Sequence, residues 1–244
     1  MIRFCHNHGL IQVSNRPQWW TVTGGARHYV DKIIAQIADK RLNAAVRSVA
    51  RDARGAYITT DVGTERFDKV VLATHSDQAL ALLQHPSLAE KATLSAISYQ
   101  PNTAVLHTDA SVLPQRQAAW AAWNYERVES NTGKSVASTH TASVWLHYLS
   151  NKLQPIPFAQ PVIVSLNPGK PIAPEHVLGS FDYAHPVFDL GVIAAQQQVP
   201  ALQGQHNTWF CGAWTGYGFH EDGLKSGLAE YATLKALGFS PAFV

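Results

Sequence analysis

Residues 209–224 constrain the fold more than any other stretch of the chain. They begin as a short apolar run (Trp209, Phe210, Cys211) and pass through a loop carrying Gly216, Gly218 and Gly223. They then enter a segment with apolar residues at 224, 228, 231 and 234. That order reads as strand, tight loop and helix start. The first amides of a helix have no intrahelical acceptor, and the peptide dipoles add partial positive charge there. Asp222 to Leu224 are therefore a place where an anion, or a group becoming anionic, is favoured. Asp222 or Glu221 can cap the helix, and Gly223 and Gly227 leave no side chain between it and a flat ligand. By themselves these residues also fit a helix end packed closely on a sheet, with small residues only for close packing.

Other readings are narrowed by composition. A chain of 244 residues, 46% hydrophobic and 15% charged, buries one large core or two modest ones and is not disordered. Nineteen basic and 17 acidic residues give a net charge of +2 without long blocks, so no nucleic-acid footprint is visible. Cys5 and Cys211 form no C-x-x-C pair, which fits a reducing compartment. No apolar stretch approaches the roughly 20 residues that span a bilayer, and the start carries no signal-peptide core; the expectation is a cytoplasmic protein without a transmembrane segment. Cys5, His6, His8 and His220 are metal-ligating types without ligand spacing, and they support a metal hydrolase only by coincidence of residue type.

In chain order, residues 16–30 read as a turn, a short aromatic strand, Gly24-Gly25 and a helix with Val30, Ile33, Ile34 and Ile37 on one face. Residues 42–69 read as a β-meander, with turns at 52–55 and 62–64. It feeds Val70, Val71, Leu72, Ala73 and Thr74, a continuous apolar run of the kind found in a parallel strand covered on both faces. A helix over 78–84 follows a cap at His75-Ser76-Asp77. From 95 to 188 the pattern changes to alternating strands over 98–108, 142–149 and 161–167, expected to form an antiparallel sheet, with 126–138 as a surface loop. Trp120, Trp123, Tyr125, Trp145, Tyr148, Phe181 and Tyr183 are either core or the lining of an apolar small-molecule pocket.

The run from Gly212 through Leu228 resembles the C-terminal flavin motif of the FAD-dependent amine oxidase superfamily. Within it, the run from Tyr217 to Leu224, followed by Ser226, Gly227 and Leu228, is similar to a bacterial branch of predicted NAD/FAD-binding proteins. The passage through Pro17 and Gly24-Gly25 and the segment from Phe181 to Asp189 resemble the same branch, so residues 1–237 match in order. The resemblance implies an α/β (α+β) fold, the two-dinucleotide-binding-domain flavoprotein, in incomplete form. Residues 23–90 and 200–244 would belong to the FAD-binding part, and 1–22 and 91–199 to a substrate domain. It implies cofactor contacts at Val46 (adenine), Thr74, Gly212, Trp214, Gly218, Asp222, Gly223 and Leu224, the last two placing N–H groups at the edge of the ring where charge gathers on reduction. His220, Glu221 and Tyr217 are the candidates for proton transfer or stacking. The fingerprint G-x-G-x-x-G, which seats the pyrophosphate on a helix N-terminus, occurs nowhere in the chain. Two readings follow. One is an oxidoreductase passing hydride from a small organic or acyl-chain substrate to FAD. The other is a truncated, non-catalytic piece that needs an N-terminal FAD-domain segment, or that forms homo-oligomers through its open sheet.

Overall fold

The computed structural model describes residues 11–15, 18, 20–128 and 143–239. They fall into two compact units, the described residues up to 41 and those from 42 onward. In the first unit a tight turn, closed by the Gly25 amide on the Val22 carbonyl at 2.9 Å, leads into helix α1 (Arg27–Ala35). Gly24 and Gly25 have φ of +80° and +96°, which side chains resist and glycine accepts. The aromatic strand expected before this turn is not formed, since residues 20–22 are irregular; Arg16, Pro17 and Trp19 lie outside the described residues, as do Cys5, His6 and His8.

The second unit opens with the expected meander, β1 (Val46–Asp52), β2 (Gly55–Thr60) and β3 (Gly63–Phe67), joined by two-residue turns. The Asp52 carboxylate accepts the Arg54 amide at 2.7 Å, which folds the first turn locally. Gly55, at φ +144°, is required there, because a Cβ would lie 2.2 Å from the Phe67 carbonyl. The apolar run then forms β4 (Val70–Leu72), followed by α2 (Ser76–Leu82) and α3 (Leu88–Ser95). Ser87 and Glu90 form a reciprocal capping box at the start of α3.

A five-stranded antiparallel sheet follows, built from β5 (Tyr99–His107), β6 (Trp123–Val128), β7 (Ser143–Leu149), β8 (Ile163–Leu166) and β9 (Val177–Pro186). Its order is β6-β7-β8-β5-β9. Strand β6 takes in residues 126–128, which the sequence reading placed in a surface loop, because they pair with β7; β9 was not among the strands expected. After them come α4 (Leu190–Gln196), α5 (Val199–Leu202), β10 (Thr208–Phe210) and α6 (His220–Ala236). Strand β10 pairs in parallel with β4, in register Thr208 to Val70.

Val49, Leu72, Leu94, Val192, Leu202 and Phe210 form the core that holds the meander, the parallel pair and the helices together. A buried ion pair crosses it: Arg51 Nη2 donates to Glu90 Oε2 at 3.0 Å, and Arg51 also reaches Thr208 Oγ1 and the His85 carbonyl. A smaller core of Leu113, Leu149 and Ile163 lies on one face of the antiparallel sheet. Strand register divides the seven aromatics. Trp123 lies opposite Tyr148, Tyr125 opposite Leu146, Phe181 opposite Ala104 and Tyr183 opposite Asn102, which puts those five aromatics on one face. Trp145 lies on the other face, and Trp120 packs there against the smaller core. Trp123, Tyr125, Phe181 and Tyr183 are exposed, Tyr125 to 62%.

Candidate functional site

The C-terminal ends of β4 and β10, the loop after β10 and the ends of β5 and β9 surround a concavity of about 470 Å3. Parallel strands point their C-terminal ends at ligands because the loops there are free to vary while the strands fix their origin. Thr74, Gly212, Trp214 and Gly218 line it, as do His75, Tyr99 and His185.

Each wall is held by identifiable bonds. The indole N–H of Trp214, which is only 3% exposed, donates to the Thr74 carbonyl at 3.0 Å and so locks the turn after β10 to the end of β4. The Gly212 amide donates to Ser226 Oγ at 3.0 Å, tying that turn to α6. At Gly212 (φ +151°) a Cβ would sit 2.7 Å from the Trp214 indole nitrogen; at Gly218 (φ +90°) it would sit 3.4 Å from the Phe188 ring. His75 stacks on Tyr99 with ring centroids 4.4 Å apart. The Tyr99 hydroxyl accepts the Ser76 amide at 2.9 Å and lies 3.2 Å from Ser76 Oγ. Burial pushes the Tyr99 phenol above its ordinary value, so it stays protonated.

A chain of amides settles where the His185 proton lies. The Thr103 amide donates to Asn167 Oδ1 at 2.9 Å, so the Asn167 nitrogen faces Asn102 Oδ1, at 2.8 Å. Asn102 Nδ2 therefore faces His185 Nδ1, at 3.0 Å. Nδ1 accepts, and the neutral ring carries its proton on Nε2.

The remaining sequence candidates sit elsewhere. Helix α6 starts at His220, three residues before the expected position. The Gly223 amide consequently bonds within the helix, to the Phe219 carbonyl at 3.1 Å, and the amides without an intrahelical acceptor are those of His220, Glu221 and Asp222. The Asp222 carboxylate accepts the amides of Tyr217 and Phe219, both at 3.0 Å, and so organises the loop before the helix. Glu221 pairs with Lys225 at 3.3 Å on the surface. His220, Tyr217 and Leu224 are exposed, and a Cβ on Gly223 would meet Ala213 at ordinary contact distance. Val46 lines a second concavity of about 600 Å3, which shares Ala73, Thr74 and Gln78 with the first. Tyr99 and His185 were not picked out as site residues; each lies far in sequence from Thr74 and is brought in by the antiparallel sheet. Among the described residues no group of three or more His, Cys, Asp or Glu is placed to hold a metal, and no helix is long and apolar enough to cross a membrane.

At both glycines that line the first concavity a Cβ would meet the chain's own rings, Trp214 at 212 and Phe188 at 218, so glycine there lets the loop pack closely against them. No curated protein matches the sequence. Among solved structures the chain resembles a CLA-producing fatty acid isomerase from P. acnes (13% identity, TM-score 0.57), covering 90% of this chain and 53% of that one. It also resembles putrescine oxidase bound to putrescine (13% identity, TM-score 0.57), covering 87% of this chain and 53% of that one. The chain thus spans about half the length of the structures it matches. Residues 5–154 match the family described as flavin containing amine oxidoreductase, more than half of the 244 residues, and the chain belongs to that family, whose cofactor is FAD.

Proposed function

We propose that the chain supplies the flavin-facing and substrate-facing portion of an oxidoreductase that takes hydride from a small organic substrate, an amine or an acyl chain. The observation that carries this reading is the convergence of Thr74, Gly212, Trp214 and Gly218 with His75, Tyr99 and His185 on one concavity. FAD, when bound, supplies the two-electron acceptor. Gly212 and Gly218 would let its ring approach the backbone, and Val46 would lie toward its adenine end. The chain's own groups position the substrate. His185 presents Nε2–H and Tyr99 a neutral hydroxyl, while the exposed aromatic face of Trp123, Tyr125, Phe181 and Tyr183 offers apolar surface for an acyl chain or the carbon skeleton of an amine. The similar structures named above, a fatty acid isomerase and a putrescine oxidase, support both substrate classes as candidates.

A second reading is favoured by one observation, the absence of G-x-G-x-x-G. In it the chain by itself is non-catalytic and acts with an N-terminal FAD-domain segment that holds the pyrophosphate. The test is titration of FAD into the full chain, alone and co-expressed with a candidate segment, followed by anaerobic addition of amines and fatty acids while the flavin absorbance is watched. Bleaching by one class assigns the substrate. Binding that is unchanged in Gly218→Val would remove the concavity from the flavin site.

A further inference from the structure

A third concavity, of about 590 Å3, lies under the loop that joins β5 to β6 and shares no lining residue with the other two. Its floor is the β6 side of the antiparallel sheet, where Glu126 and His147 lie on the face opposite the exposed aromatics. Val112, Leu113 and Pro114 form an apolar wall. That wall is held in place by side chains: the Trp120 indole N–H donates to the Pro114 carbonyl at 2.7 Å, and Asn124 holds both the amide and the carbonyl of Ala121, at 3.0 and 2.7 Å. One polar atom on the floor has no partner. His147 is 2% exposed, and its Nε2 makes no hydrogen bond among the described residues. Glu126 Oε2 is 3.8 Å away, too far for one.

The state of that atom is set from the interior. The Asp109 amide donates to His107 Nδ1 at 3.1 Å, His107 Nε2–H donates to Ser165 Oγ at 2.7 Å, and Ser165 donates to His147 Nδ1 at 2.6 Å. His147 therefore turns an N–H toward the concavity and has no lone pair there for a metal ion. Burial holds the ring below its ordinary pKa, so this donor is uncharged near neutral pH. We infer that the concavity binds a neutral alcohol, its hydroxyl between His147 and Glu126 and its carbon chain along Val112, Leu113 and Pro114. One oxygen can lie about 2.8 Å from both Nε2 and Oε2, accepting from the first and donating to the second. A carboxylate has no proton to give and sets its charge against Glu126, while an ammonium has no lone pair for His147. Lys170, 3.6 Å from the other Glu126 oxygen, is largely exposed and offsets that charge only in part. The inference is independent of the flavin reading, and its readout uses no flavin.

The test is a titration of the full chain with 1-butanol, following the His147 ring nitrogens by long-range proton–nitrogen NMR. Nε2 and its proton should shift saturably at roughly millimolar alcohol, the range expected of so few atoms. 1-Methoxybutane accepts from His147 but has no proton for Glu126, and it should bind roughly tenfold more weakly. Butyrate should give no saturable shift. In Glu126→Met the alcohol should weaken by roughly tenfold and its advantage over the ether should vanish, while unchanged His107 signals report that the fold persists. The ether comparison needs no change to the protein, so it decides the matter even if the variant fails to fold. Four results would overturn the inference: no saturable shift with 1-butanol, which would leave the Nε2–H to solvent; alcohol and ether bound equally by the unaltered chain; butyrate bound as tightly as the alcohol; or alcohol binding unchanged in a folded Glu126→Met.

Discussion

His147 Nδ1 lies 2.6 Å from the Ser165 hydroxyl, and this bond closes a buried three-residue relay whose protonation is set from its other end. The Asp109 amide donates to His107 Nδ1 at 3.1 Å, so the neutral His107 ring carries its proton on Nε2, 2.7 Å from Ser165 Oγ. Ser165 accepts that proton's hydrogen bond and donates its own to His147. The His147 proton is therefore on Nε2, which is buried without a hydrogen-bond partner among the described residues and lies 3.8 Å from Glu126 Oε2. Ser165→Ala strands a donor on His107 and an acceptor on His147, and it should cost on the order of 2–4 kcal/mol in denaturant unfolding. A loss below about 0.5 kcal/mol would mean that the relay adds nothing to stability.

Burial holds the His107 and His147 rings below their ordinary pKa, the Glu126 carboxylate opposing it at His147. The unfolded chain takes up protons as pH falls through about 6.5 and the folded chain resists, so this pair makes stability fall with acid. Glu230 works in the opposite direction. One of its oxygens accepts from Gln203 at 2.8 Å, the other is buried without a hydrogen-bond partner, and burial pushes its carboxyl up to about 7. The protonated carboxyl contributes its full stability below the unfolded value near 4.5 and loses it as pH rises to about 7, a difference on the order of 3 kcal/mol. Glu230→Gln should therefore be more stable than wild type at pH 8. It should also show rising stability from about pH 5 to 6.5, where the two effects offset each other in wild type. Parallel stability curves for the two proteins would contradict the assignment to Glu230.

Arg51 and Glu90 give a third expectation. Burial alone would raise the Glu90 carboxyl, but the Arg51 guanidinium and the Ser87 amide overcome it and hold the group below its usual range. Arg51→Met leaves that carboxylate buried and unpaired, at a cost of about 3–5 kcal/mol, whereas adding Glu90→Leu should recover most of it. Thermal unfolding of the two variants decides this: a double variant as unstable as the single one would place the cost in lost packing.

How far the sequence announced all this depended on the range of the signal. The meander and the apolar run into Thr74 were legible because Asp52, Gly55 and Gly63 act on their own neighbours and the run has one pattern from end to end. Helix α3 carried a local signal that went unread, Ser87 followed by Glu90. Strand β9 alternates Ser180, Asp182 and Ala184 with Phe181, Tyr183 and His185, but its aromatic face is exposed and thus lacks the buried-strand pattern. In the site, Thr74, Gly212, Trp214 and Gly218 could be named together because the family resemblance runs through the local motifs that carry them. Tyr99 and His185 could not, because only the register of β5 with β9, Tyr99 opposite Pro186, brings them there. The helix start was misjudged by three residues for a physical reason as well: Asp222 caps from inside the helix, reaching back to Tyr217 and Phe219, whereas an N-cap acts from its first residue.

That inverted cap yields the last prediction. Asp222 accepts two amides from the loop that carries Gly218 into the concavity, and the Cβ position of Gly216 lies 2.6 Å from its carboxyl carbon, so side chain and loop are fitted to each other. Asp222→Ala removes the carboxylate acceptor from the amides of Tyr217 and Phe219. Their hydrogen exchange should accelerate by roughly tenfold or more, while global stability falls by only about 1 kcal/mol, since the loop is largely exposed. Asp222→Asn keeps an acceptor oxygen and should restore most of the protection, but a charged carboxylate bonds more strongly than a neutral amide oxygen, and recovery should be partial. If the loop shapes the flavin edge of the concavity, FAD affinity of a flavin-binding form should weaken in the order Asp222, Asn, Ala. Exchange unchanged in Asp222→Ala would mean that the loop is held by its other bonds, chiefly the Gly218 amide on the Ala213 carbonyl at 3.1 Å.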